Sequence, residues 1–159
     1  MAADTHIKFD GVEGESTHQD HKGEIEVLSW TWGISNASGA AAGGGSGRGR
    51  ASPGEFHMTH QYDKASPVLA KKCAQGLHFK EVMLTSRKAG EGQKDFLKIT
   101  MKEVFITSVQ PSGHAEGEIM ESVSMSYGGI EFSYKAQDAK GGLGGEVKFA
   151  WDVKSTKIA

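Results

Sequence analysis

The chain of 159 residues carries one cysteine, Cys73, which excludes an internal disulfide and any cysteine-built metal knuckle. No apolar run is long enough for a membrane-spanning helix, so no membrane insertion is expected. The first ten residues are polar and lack the apolar core of a secretory signal peptide. Neither charge sign dominates: 18 basic residues face 20 acidic ones, for a net charge of −2. A nucleic-acid binder would show a basic face or stripe, and none is present. Leu, Ile, Val and Phe together supply only 30 residues, a share that borders on disordered composition. Disorder also requires a large net charge, which is missing. The length allows one domain over residues 1–159.

Glycine is what the chain has in excess: 22 residues, about twice the usual share of ~7%, without the Gly-X-Y period of collagen. Around these glycines, apolar residues alternate at period two, which marks half-buried strands. Phe56, Met58, His60 and Tyr62 share one face, and His57, Thr59 and Gln61 the other. Val147, Phe149, Trp151 and Val153 alternate with Lys148, Ala150 and Asp152. Further strands are predicted at Ile7–Phe9, 24–35, 78–88, 95–110 and 118–137. In 24–35 the apolar parity changes from Ile25 and Val27 to Leu28, Trp30, Trp32 and Ile34, which predicts a β-bulge near Val27–Leu28. In 118–137 it changes across Gly128-Gly129, where a bulge, bend or tight turn is expected. Such devices let a sheet curl towards closure. One helix is predicted over about 66–75, with Ser66 as N-cap, Pro67 at the first position and Gly76 as the stop. Leu69 and Cys73 then face inward together. Residues 35–54 form a glycine-rich loop far longer than the usual ~4–6 residues, and loops of this length are usually functional or disordered.

Catalytic chemistry finds little support. There is no Gly-x-Ser-x-Gly elbow and no His-Glu-x-x-His pair. The glycine-rich loop is not a phosphate cradle, because Gly47-Arg-Gly-Arg50 leads through Pro53 into a strand rather than a helix. No enzyme activity, cofactor or metal is expected. His57 and His60 point to opposite sides of their strand and cannot pair on a metal. His18, Asp20, His21 and Glu24 could gather a divalent ion, but no ligand spacing fixes one, and a solvated loop is the reading adopted. Trp30 and Trp32 are assigned to the core, so Ser29 and Thr31 face away from it.

Several segments together resemble a known family. Ile7-Lys-Phe-Asp-Gly-Val-Glu-Gly-Glu-Ser16 is followed by Glu24-Ile-Glu-Val-Leu-Ser-Trp-Thr-Trp-Gly33 and Tyr62-Asp-Lys-Ala-Ser-Pro-Val-Leu69. Then come Thr85-Ser-Arg-Lys-Ala-Gly90, Ile99-Thr-Met-Lys-Glu-Val-Phe-Ile-Thr-Ser-Val109 and Glu121-Ser-Val-Ser-Met-Ser-Tyr127. In that order and spacing they resemble the haemolysin-coregulated protein (Hcp) family, inner-tube subunits of bacterial type VI secretion systems. The stretch least like the family is 37–49. The resemblance implies a mainly β protein: a single-domain β-barrel of two sheets with one flanking short α-helix. It further implies a homohexamer whose rings stack head to tail into a tube with the system's tip and sheath components. The tube would leave the bacterial cytoplasm without a cleaved signal peptide, carrying small effector proteins in its lumen. Ser29 and Thr31 would line that lumen. The long loop, with Asn36, Ser38, Ser46, Arg48 and Arg50, would reach the next ring. Without the resemblance, the residues alone leave a monomeric or oligomeric β-barrel binding module for a small ligand or peptide as the alternative.

Overall fold

The structure, a computed structural model, describes residues 3–37, 51–89, 93–138, 140 and 142–159. The described elements run β1 (Ala3–Phe9), β2 (Ile25–Glu26), β3 (Ser29–Thr31), β4 (Ile34–Asn36), β5 (Ala51–Pro53) and β6 (Phe56–Gln61). Then follow α1 (Ser66–Gln75), β7 (His78–Lys88), β8 (Asp95–Ser112), β9 (Met120–Ser126), β10 (Gly129–Gln137), β11 (Leu143–Asp152) and β12 (Lys157–Ile158). One antiparallel ladder runs β2-β1-β7-β8 and then divides, because β8 takes two successive partners on its far edge. Its N-terminal half pairs with β10, which continues to β11 and β12. Its C-terminal half pairs with β9, which continues to β6 and β3. β4 and β5 form a separate two-stranded sheet.

This is the β-rich, two-sheet, barrel-like fold with one short helix that was expected, with one departure. No ladder joins β2 to β3 among the described residues, so the main sheet does not close. The chain itself crosses the gap. The Val27 N–H donates to the Thr5 carbonyl and the Leu28 N–H to the Thr59 carbonyl, both at 2.8 Å. The parity change at this point is therefore an exchange of partners, from β1 to β6, rather than one extra residue in a single ladder. Its consequences are uneven: Trp30 and Trp32 pack against the core as expected, whereas Leu28 is 56% exposed and Ile34 also lies at the surface.

The change at Gly128-Gly129 is the step from β9 to β10, and it has a counterpart on β8. There Ile99 and Met101 are buried, and then Val104 and Ile106. Glu103 absorbs the extra residue in the left-handed region, at φ 51. The Gly128 N–H donates to the Lys102 carbonyl at 2.9 Å. A Cβ on Gly128 would stand 2.9 Å from the Glu103 carboxylate and 3.3 Å from the Glu103 Cβ, so the absence of a side chain at 128 lets the two irregularities pack closely.

Within the sheet the core is built in cross-strand rows. Ile25, Ile7, Leu84, Ile99, Phe132 and Phe149 lie side by side, and Phe9, Val82, Met101, Ile130 and Trp151 form the next row. Phe56, Met58, Val123 and Met125 continue it from the other half. α1 adds Leu69 and, partly buried, Cys73. Its N-cap is Ala65 rather than Ser66. The Ser66 hydroxyl instead accepts the Asp63 N–H at 3.1 Å, while the Asp63 carboxylate accepts the Ala65 N–H at 2.9 Å. Gly76 ends the helix at φ 67, with the Leu77 N–H donating to the Lys72 carbonyl at 3.2 Å, the expected glycine stop.

If Glu103 sits in a left-handed conformation as part of the fold, Glu103→Val should lower stability, because a β-branched side chain tolerates positive φ less well than an unbranched one. Glu103→Gly should leave it unchanged or slightly raised, since the Lys154 ion pair it loses is exposed and worth little. Thermal unfolding of both variants checks this. Equal losses in both would show that the side chain, not the backbone, matters there.

Candidate functional site

Four short strand segments carry the residues singled out by the sequence. Ser29 and Thr31 are exposed on β3, opposite Thr59 and His57 of β6. Those face Ser122 and Ser124 of β9, which in turn face Gln110 and Ser108 of β8. The face opposite the Trp30–Met58–Val123 core row is thus a wall of two rows, one of Ser29, Thr59, Ser122 and Gln110, the other of Thr31, His57, Ser124 and Ser108. None of these eight side chains is an acid, a lysine or an arginine. The ring of His57 is hydrogen bonded through Nδ1 to the Ser124 hydroxyl at 2.7 Å. The outer face of the other half of the sheet is different in kind: Glu81, Lys98, Lys102, Glu131 and Lys148 stand on it, with Lys148 bridging to Glu131 at 3.0 Å. Both faces are polar, as exposed sheet faces generally are, but the second carries charge and the first does not.

The long loop leaves the barrel on a stem. β4 and β5 pair Ile34 with Pro53, Ser35 with Ser52 and Asn36 with Ala51, and the Gly54 N–H donates to the Gly33 carbonyl at 2.9 Å. The approach is close enough that a Cβ on Gly54 would lie 2.6 Å from that carbonyl oxygen. Tyr127 fixes this stem to the barrel. Its buried hydroxyl donates to the Gly54 carbonyl at 2.7 Å and accepts the Trp32 indole N–H at 2.6 Å. Burial pushes the phenol up from its ordinary range, so it remains a donor. Asn36 is exposed at the end of β4. Ser38, Ser46, Arg48 and Arg50 lie outside the described residues. The stem and its Tyr127 anchor were not anticipated: the contact joins residues 73 apart, which no local pattern announces.

Histidines supply a correction. The segment 17–24 is not simply a solvated loop, because His21 is buried and docks on the sheet. Its ring stacks on His6 of β1, with centroids 4.8 Å apart and planes 12° from parallel, and His18 closes the group at 5.2 Å from His6. His21 Nδ1 meets the Glu24 carboxylate at 2.8 Å. Its Nε2 lies 3.2 Å from Asp95 and 3.1 Å from an Arg87 guanidinium nitrogen. Arg87, 6% exposed, also donates to Asp95, Asp20 and the Gln93 carbonyl. Burial works against charge on both Asp95 and Arg87, but their mutual hydrogen bonds outweigh it: Asp95 is held below the usual carboxylate range and Arg87 above its own. With both His21 nitrogens engaged and a guanidinium beside them, His18 and His21 do not present a metal site. Among the described residues no group of three or more His, Cys, Asp or Glu side chains is arranged to hold an ion.

A second buried pair was half visible. His60 shares the inward face with Phe56 and Met58, as its parity required, and its Nε2 meets Glu121 of β9 at 2.8 Å. The two are directly opposite in register, so the pair joins β6 to β9 inside the core. His57, on the other parity, is exposed. Tyr62, the last residue of that inward set, lies at the surface beyond the end of β6.

Because Tyr127 supplies a donor to one buried partner and an acceptor to another, Tyr127→Phe should cost about 1–3 kcal/mol. Amide protection should fall in Ile34–Asn36 and Ala51–Pro53 more than in β7 and β8. Hydrogen exchange checks this, and uniform loss over the barrel would assign Tyr127 to the core rather than to the stem.

Comparison with known proteins agrees with this layout. The family model described as "Type VI secretion system effector, Hcp" matches residues 6–134. The protein hcp1 of Pseudomonas aeruginosa is 38% identical over 157 residues, covering 97% of each chain. Among solved structures, Hcp1 from Salmonella typhimurium is 35% identical with a TM-score of 0.83 over the full length of both chains. A type six secretion system protein is 31% identical with a TM-score of 0.92 over 99% of this chain and 100% of the other. With a family match over most of its length and these near full-length relatives, the chain belongs to the Hcp family of type VI secretion proteins.

Proposed function

We propose that this chain is the structural subunit of a type VI secretion inner tube. Six copies form a ring and rings stack head to tail. The tube is exported, and its lumen carries and protects small effector proteins. The observation that carries this reading is the uncharged wall of Ser29, Thr31 and their cross-strand neighbours. A surface of short hydroxyl side chains suits a channel lining, since it leaves room for a folded cargo and repels neither charge sign. Assembly is supported by the far flank of the sheet. Tyr134 and Val147 lie on the same face as the core residues Phe132 and Phe149, yet they are 46% and 69% exposed. An apolar row that overhangs its own core gains when a neighbouring subunit covers it. Head-to-tail contacts of this type close into rings, and unlike end faces then allow open stacking. The loop over 35–54 is suited to the inter-ring contact, because its stem is rigidly held while its glycines permit close backbone approach at an ordering cost. No enzymatic step, cofactor or nucleic acid enters this role.

Four measurements test the proposal. Light scattering should give a particle near six times 17.0 kDa, and electron microscopy a six-fold ring with a central hole. A particle of 17.0 kDa would instead mark a monomeric binding barrel. Thr31→Gln should lower retention of a co-expressed effector by tenfold or more, about 1.4 kcal/mol, while the ring persists; undiminished retention would remove Thr31 from the cargo surface. Deletion of 37–49 should abolish tubes and spare rings, and loss of the ring as well would refute a stacking role confined to the loop.

A further inference from the structure

The segment between β1 and β2 is a loop closed on itself. Its backbone hydrogen bonds run from Gly14 to Gly23 at 2.7 Å, from Ser16 to Glu24 and from Gly23 back to Ser16 at 2.9 Å, and from His21 to His18 at 3.1 Å. Loops whose ends meet in this way are independent surface units. The neck is held near the helix, where Glu15 accepts the Lys64 N–H at 2.8 Å. The tip has a different attachment: the hydrogen bonds that tie it to β7 and β8 come from two side chains, Asp20 and His21, on Arg87, Asp95 and Thr85. The third contact is the stack of His21 on His6.

His6 is the weak point of that attachment. It is 3% exposed, and its Nδ1 is buried without a hydrogen-bond partner among the described residues. A proton placed there would be a buried donor with no acceptor, on a ring stacked against His21 and close to Arg87. The groups around it are Asp4 and Lys8 on its own strand, and Glu26 opposite on β2. Thr85 and Arg87 face it from β7, His18 and His21 from the loop, and Asp95 from β8 behind Arg87. Of these, Asp4 favours a charged His6, while His21, His18 and Arg87 oppose it.

From this arrangement we infer that His6 is the trigger of an acid-released clasp: protonating it undocks the tip of the loop, residues 17–22, from the β1–β7–β8 face while the barrel stays folded. Burial first, then the neighbouring His21 and His18, pushes the His6 imidazole down to about 4 from its ordinary 6.5. In the undocked loop the ring is freed of both influences and titrates near the ordinary value. Docking therefore favours neutral His6. It is intact above pH 6.5 and weakens by up to about tenfold per pH unit as pH falls towards 4, where the docked ring would itself take the proton. Asp20 and Asp95 are held below the usual carboxylate range by Arg87, so they remain ionised through this window. The Asp20–Arg87 pair adds little, because Asp20 lies at the surface, where such pairs contribute little. Retention therefore turns on His21, whose bonds to Arg87, Asp95 and Thr85 are made by the same ring that stacks on His6.

Hydrogen exchange of the full chain at pH 7.0 and 4.5, corrected for intrinsic rates, tests the clasp. The His21 amide should lose protection by ten- to a hundredfold at the lower pH, while that of Gly23, bonded to Ser16 across the neck, and those of β8 and β9 should hold. In His6→Phe, which keeps a stacking ring without a titrating nitrogen, the loss should disappear. Equal protection at both pH values would overturn the inference, as would the same acid loss in His6→Phe or a simultaneous loss throughout the barrel. If His6→Phe does not fold, the unsubstituted chain decides by magnetic resonance titration of the His6 ring. A midpoint well below 6.5, with loop signals shifting in step, is the expected result; a midpoint near 6.5 with a static loop would refute it.

Discussion

A strand of eighteen residues with one set of partners would present a single face inward from end to end, because its side chains strictly alternate. β8 cannot do this. On one edge it serves β10 and then β9, and the two groups of strands wrap in different directions around the core. The conflict is absorbed at Glu103, whose left-handed backbone shifts the inward set from Ile99 and Met101 to Val104 and Ile106. The same turnover recurs at Gly128, packed against Glu103, and at Val27–Leu28, where the edge strand exchanges β1 for β6. A fourth lies at Thr107 of β8, where the register shifts between Ile106, in the core, and Ser108, on the outer wall, and the barrel-like shape rests on these reversals together. A sheet without them would bury one flank and expose the other.

The reversals also decide which residues meet on the outside. In a period-two structure each inward row leaves an outward row, and the two halves of this sheet use theirs differently. The β7–β8–β10–β11 half carries lysines and glutamates that pair across strands, the composition of a face in water. The β3–β6–β9 half carries serine and threonine at corresponding positions. Solubility of an isolated chain would be served by charge on both. The contrast between an uncharged face and its charged twin is what the proposed channel lining draws on.

Much of this could be read directly. The inward placement of Trp30 and Trp32 gave the outward placement of Ser29 and Thr31, and the odd-to-even change located both turnovers it was applied to. Reading failed where long-range pairing decides. Leu28 belonged to the apolar set by parity but lies at the hand-over between two ladders, where neither neighbour covers it. The change from Ile99 and Met101 to Val104 and Ile106 was available in the sequence, and it was hidden by Phe105, which makes both parities apolar just where the change occurs. The Tyr127 anchor and the His6–His21 stack join segments with no shared periodicity, so composition carried no sign of either. Arg87, at the centre of the clasp, is one basic residue among eighteen until folding buries it beside Asp95.

The scarcity of aliphatic residues acquires a physical meaning in this light. The core is complete but compact, and its rows end before the sheet does, leaving Tyr134 and Val147 uncovered. Val12 anchors the start of the β1–β2 loop in that core and Ala51 of the loop stem packs against it. Beyond them, the stem and the tip of the β1–β2 loop are attached by polar contacts: a phenol shared by Trp32 and Gly54, and a guanidinium shared by Asp20, Asp95 and His21. Apolar burial depends on area and cannot be released locally without opening the core. A hydrogen-bonded attachment depends on one or two groups and responds to their protonation or to competition from a partner. The division keeps the barrel intact while the attachments change state at a cost far below that of unfolding, which is what the proposed assembly would ask of its subunit.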